Sequence, residues 1–172
     1  MSATYDAIQT VTVANTTTTA VNFTSISQAY TDLILVGNTS AQGATDDQVP
    51  SIRVGNGTID TGNNYSNTIA GFIAGAGAAS FRDSNASLMR FGRLGQNSTQ
   101  PVGIFIAHFL NYSNTTTNKT IIARAGNETR SSIMGAGLWR STAAINAIRI
   151  LEYSGHPISI NSTFTLYGIK AE

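Results

Sequence analysis

The sequence predicts an all-β chain folded as one antiparallel β-sandwich, and three observations carry that prediction. Apolar and polar residues alternate with a period of two along most of the chain, the pattern of half-buried strands. The segments so marked are short and divided by turns rich in Asn, Ser, Thr and Gly, at the spacing of sandwiches and barrels. No segment keeps a helical period with caps over three turns.

Taken in order, Ile8 to Ala14 places Val11 and Val13 on one face, and Ala20 to Thr24 does the same with Val21 and Phe23. Leu33 to Val36 is a solid apolar run, as in a strand that crosses the core. Ser51 to Gly55 sets Ile52 and Val54 against Arg53. Asn63 to Ala74 reads as a turn and then a strand, with Tyr65, Ile69 and Ile73 available for burial, and Gly75 to Ala79 as a loop. Ser87 to Leu94 alternates Leu88 and Arg90 against Met89, Phe91 and Arg93. Val102 to Tyr112 is the strongest strand, with Ile104, Ile106, His108 and Leu110 on one face and Phe105, Ala107, Phe109 and Asn111 on the other. Thr120 to Ala125 is its expected hairpin partner across the turn Asn114 to Asn118. Ile133 to Trp139, Ala144 to Tyr153 and Thr163 to Ile169 complete a set of about eight to ten strands. Ser141 to Arg149 is the one stretch in which a helical turn is conceivable. An eight-stranded jelly roll is the leading architecture. The chain reads as a single domain over residues 1–172, with 1–7 as a possible N-terminal arm.

Composition narrows the function. Only 11% of residues are charged, against roughly a quarter in an average domain, so the surface has little charge to oppose self-association. The formal net charge of +1 lacks the footprint of a nucleic-acid binder. The basic residues are nearly all Arg, a residue favoured at protein interfaces over Lys. With no cysteine, disulfides, thiolate metal sites and cysteine catalysis are excluded. No signal-peptide pattern opens the chain, and the longest apolar run, Gly103 to Leu110, is far too short to span a bilayer as a helix. The expectation is a soluble product made in the cytoplasm, without an N-terminal export signal of the usual kind and without nucleic-acid or membrane partners.

The search for chemistry finds weak candidates. His108 lies mid-strand among apolar neighbours, and His156 lies in the turn Gly155-His156-Pro157. Nothing in their spacing builds a metal site. Asp46-Asp47 lacks the alternating ligands of a calcium loop. The glycine pairs at Gly55/Gly57, Gly75/Gly77 and Gly135/Gly137 read as turns, bulges or close backbone approach rather than phosphate loops. Abundant Asn-x-Ser/Thr sequons follow from composition. No catalytic residues, metal or cofactor are therefore expected. Arg82, Arg90 and Arg93, near Phe81 and Phe91, form a small basic group. It reads as an inter-subunit or inter-strand pairing set, with Asp83 or Glu128 as partners.

Several stretches resemble small virion-associated proteins of tailed bacteriophages, of the marine and cyanobacterial phage type. They are Tyr30 to Val36, Gly62 to Ser66, Asn111 to Thr116 with Lys119-Thr120, Gly137 to Ile145, and Ser162 to Ala171. The resemblance implies a non-enzymatic virion component of jelly-roll type, a homotrimer, located on the particle surface. Two roles follow as expectations. The first is a capsid decoration or cement protein that binds the major capsid protein or another virion protein and stabilises the head. Its candidate interface residues are Arg82, Arg90, Arg93 and Arg140. The second is the head domain of a tail fibre that binds a host-surface saccharide, with Tyr65, Tyr112 and Trp139 as candidate contacts by stacking. For Trp139 the stronger reading is a core anchor.

Overall fold

In a computed structural model, residues 4–42, 49–92, 103–127 and 131–170 are described. They form thirteen strands and no helix. The larger sheet has eight strands in the order β1 (Tyr5–Thr12), β13 (Thr163–Ile169), β3 (Asp32–Thr39), β9 (Gly103–Leu110), β10 (Lys119–Asn127), β11 (Ser131–Trp139), β6 (Tyr65–Ile73) and β7 (Gly77–Ala86). The smaller sheet runs β2 (Ala20–Phe23), β12 (Ala147–Glu152), β4 (Pro50–Asn56) and β5 (Thr58–Ile59), with the two-residue β8 (Met89–Arg90) also paired to β4. Every pairing between these strands is antiparallel.

The wiring is that of a jelly roll. β1, β13, β3 and β9 lie side by side in one sheet, and β2, β12 and β4 with β8 in the other, so the chain crosses between sheets at every step of this core except from β4 to β8, which pair within the smaller sheet. Two hairpins, β6–β7 and β10–β11, are added to one edge of the first sheet and account for its width.

Alternation explains the core. Phe105, Ala107 and Phe109 of β9, with Leu33 and Leu35 of β3 and Leu166 of β13, point from the large sheet into the interior. Val21, Phe23, Ile52, Val54, Ile148 and Ile150 meet them from the small sheet. Gly137 has to be glycine for packing reasons: a Cβ there would come within 2.6 Å of Met89 and 2.7 Å of Phe91, the residues on which β8 seats. Gly57, at φ 76°, makes the tight β4–β5 turn in a backbone region that side chains disfavour.

Four expectations are corrected. β7 begins at Gly77, inside the stretch read as a loop, and runs to Ala86. It is an edge strand with no fully buried residue, so burial never imposed a strong apolar alternation on it. Of the strand expected over Ser87 to Leu94, the described residues form strand only at Met89–Arg90, and Gly92 at φ 120° turns the chain; Arg93 and Leu94 lie outside the described residues. The segment 141–146 is not helical: Ile145 N–H donates to Tyr112 O and Asn146 N–H to Gly55 O, so tertiary contacts take these backbone groups. Tyr5–Ala7 form no free arm but pair with Ile169, Gly168 and Tyr167; residues 1–3 lie outside the described residues.

Candidate functional site

Three long side chains with polar tips close one end of the interior. Tyr65, Trp139 and Lys119 occupy directly opposed positions on β6, β11 and β10, and all three are buried. The Tyr65 hydroxyl has the carbonyls of Val54 (2.9 Å) and Asp60 (2.8 Å) in reach of its single proton, and accepts the Val54 N–H at 3.2 Å. Trp139 Nε1–H donates to Asp60 Oδ2 at 2.7 Å. Burial alone would raise the Asp60 carboxyl, but the bonds from Trp139, Asn64 and the Gly62 N–H hold it below its ordinary value. Lys119 Nζ donates to the carbonyls of Thr117 (2.7 Å) and Thr142 (3.0 Å), and burial lowers its pKa. Tyr112 is buried too, its hydroxyl donating to Ser27 O.

The saccharide-contact expectation is therefore corrected. Tyr65 and Tyr112 are 0% exposed and Trp139 is 3% exposed, so none of the three rings offers a face to a ligand. Each closes the core and fastens a loop with its polar tip.

These tips predict alkaline behaviour. Burial raises the Tyr65 and Tyr112 phenols above their ordinary value, whereas an unfolded tyrosine ionises near 10. Above about pH 10 the unfolded chain holds fewer protons, so stability falls by up to about 1.4 kcal/mol per pH unit for each phenol. Lys119, with its pKa lowered, acts in the opposite direction, and only up to the unfolded lysine value. Two phenols outweigh one ammonium, so the net loss should set in near about pH 10. Thermal unfolding with tyrosinate absorbance will check this: two of the six tyrosines should ionise only on unfolding. All six titrating near pH 10 in the folded protein would refute it.

The arginines divide. The Arg90 guanidinium pairs with Asp83 at 2.7 Å and lies over the rings of Phe81 (3.8 Å) and Tyr153 (4.4 Å), both exposed. The pairing with Asp83 expected from sequence is an inter-strand one, and it builds a rigid cation–π stack on the inward side of the β6–β7 hairpin, beyond the small sheet. Arg82 is exposed on the edge strand. Arg140 is spent within the chain: it donates to Ser66 Oγ, to Asn63 O at 2.6 Å and to Asn85 Oδ1 at 3.1 Å, tying β6 to the end of β7. Arg93, Glu128 and Asp46-Asp47 lie outside the described residues.

The histidines do not meet. His108 faces outward on β9, with Nε2 3.3 Å from Asp32, and His156 follows β12, 3.3 Å from Glu152. Among the described residues no three His, Cys, Asp or Glu side chains lie close enough to hold a metal ion.

The least expected surface is the outer face of the large sheet. An antiparallel sheet with one face on the core normally shows polar residues on the other. Here the register sets Ile34, His108, Ile122 and Ala136 side by side on β3, β9, β10 and β11. The next row is Val36, Ile106, Arg124, Met134 and Ala70, and beyond it Ile104, Gly126, Ser132 and Phe72 follow on β9, β10, β11 and β6. Met134 is 67% exposed, Phe72 64%, Ile104 52% and Ile122 51%. Single exposed apolar residues are ordinary, but a contiguous group across five strands marks an interaction surface. Its signal was present in the sequence, since the strand over 103–110 is apolar on both faces and only one can meet the second sheet.

No family model matches this chain, and no curated protein matches it. Among solved structures it is similar to an aerolysin-like protein of Bombina maxima, at 10% identity over 85% of this chain and 87% of that one. The TM-score is 0.14, too low to relate the two folds.

Proposed function

We propose that this protein is a structural component of a tailed-phage particle, a decoration protein that binds the assembled head and bridges its subunits. The observation that carries this reading is that one rigid jelly roll exposes two separate apolar surfaces. They are the outer face of the large sheet and the Phe81–Arg90–Tyr153 stack on the other side of that sheet. A protein that bridges neighbours needs more than one contact surface, and Arg with aromatic residues is the composition of interface hot spots. The low charge and the resemblance to virion proteins supply the setting. The receptor-binding alternative has lost its three candidate contacts to the core.

Recombinant protein added to emptied heads should bind them, and Tyr153→Ser, which removes one exposed ring of the stack, should weaken that binding several-fold. Binding to host cells with none to heads would turn the reading to the tail.

A further inference from the structure

We infer that the outer face of the eight-stranded sheet is covered by a second copy of this chain, two sandwiches packing face to face through this surface. The inference rests on the assembly reading above and names the partner of one of its two surfaces.

Size is the first reason. Eight strands about 4.8 Å apart, each offering four outward residues over about 20 Å, give the whole face a footprint on the order of 700 Å². The apolar group lies on five adjoining strands, with polar residues such as Thr165 and Arg82 outside it. The whole face is close to the roughly 800 Å² per partner of a standard stable interface. Relief is the second. A broad depression of about 800 Å³ lies where Ala70, Gly126 and Ser132 are small, and Ile104 and Met134 stand at its border. Ile122 rises beside it. The face thus carries both projecting side chains and a hollow that takes them. Self-complementary relief of this kind suits an isologous two-fold contact, in which the same patch serves both partners. Two sheet faces interdigitate in this manner inside any sandwich, about 10 Å apart.

Charge is the third reason. Charged groups are few on this face: Asp32 lies 3.3 Å from His108, Arg124 stands among the apolar residues, and Arg82 lies on the edge strand. Arg124 is exposed, and its long flexible stem lets the guanidinium turn aside and keep its water when the apolar neighbours pack. A partner selected by charge would find no field here to read. A second copy, apolar and nearly uncharged in the same places, matches it. The contact residues sit on central strands rather than on loops, so little conformational freedom is lost on pairing.

The test is mass by light scattering over a micromolar concentration series, for the wild type and for Ile122→Asp and Met134→Asp. Both side chains are half or more exposed in the single chain, so neither change disturbs the core; Asn22→Asp, exposed on the small sheet, is the control. The wild type and the control should run at twice the chain mass, and each face variant should dissociate to monomer with an unchanged circular dichroism spectrum. Peroxide oxidation gives a second readout independent of mutation: Met134 should be protected in the wild-type pair and oxidise readily once dissociated by dilution, while Met89 stays buried in both. A monomer at every concentration, a trimer, or an oligomer that survives both substitutions overturns the pairing. Head binding by the monomeric variants is scored separately, so failure of the pairing and failure of the particle reading are distinguishable.

Discussion

Trp139→Ala should lower the free energy of unfolding by about 3–5 kcal/mol, the range for deleting a large buried aromatic. The ring is almost wholly buried at the closed end of the sandwich, between Tyr65 and Lys119 in register, and no neighbour can collapse into its volume without unfastening a loop. Its N–H also serves the Asp60 carboxylate, which takes two further bonds, from the Gly62 N–H at 2.8 Å and Asn64 Nδ2 at 2.9 Å. Trp139→Phe separates the two contributions. It keeps most of the ring but removes one of three donors, at a cost of about 1–3 kcal/mol. Urea unfolding will check both, with the midpoint falling and the slope unchanged. A loss below about 0.5 kcal/mol for Trp139→Ala, the size of an ordinary surface substitution, would mean that the ring does not anchor the core.

Neighbouring residues on β10 give the second large effect. Ile121 is fully buried, whereas Ile122 points to the open face. Ile121→Ala should cost about 2–5 kcal/mol of stability, as for other large-to-small core changes. Ile122→Ala should change the stability of the single chain by no more than about 0.5 kcal/mol, as at surface positions. Equal losses at the two positions, measured by chemical unfolding at the lowest workable concentration, would show that the outer face is covered within the chain itself.

Much of the fold was legible because it rests on local pattern. The strands β9, β10, β11 and β13 lie within a residue or two of where alternation puts them, and the turn between β9 and β10 falls at the expected Asn114 to Asn118. Where pattern was silent, other forces set the structure. β7 is a strand because β6 offers it backbone partners, not because its own residues alternate. The segment 141–146 is irregular rather than helical because the carbonyls of Tyr112 and Gly55 take the N–H groups of Ile145 and Asn146.

The candidate site was legible in its parts and misread in its arrangement. Tyr65, Tyr112 and Trp139 are residue types suited either to a ligand or to a core, and only the register that buries them decides between the two. Arg90 and Arg140 look alike as surface cations in sequence. One stacks between exposed rings, and the other is used up in tying β6 to β7.

By itself the sequence determined an all-β sandwich, its low charge and most of its strands, because a period of two and the chemistry of turns are written in neighbouring residues. Only the tertiary structure decided which of two apolar faces of β9 met the second sheet, and so which was left open. Alternation states that two faces differ; it does not state what packs on either.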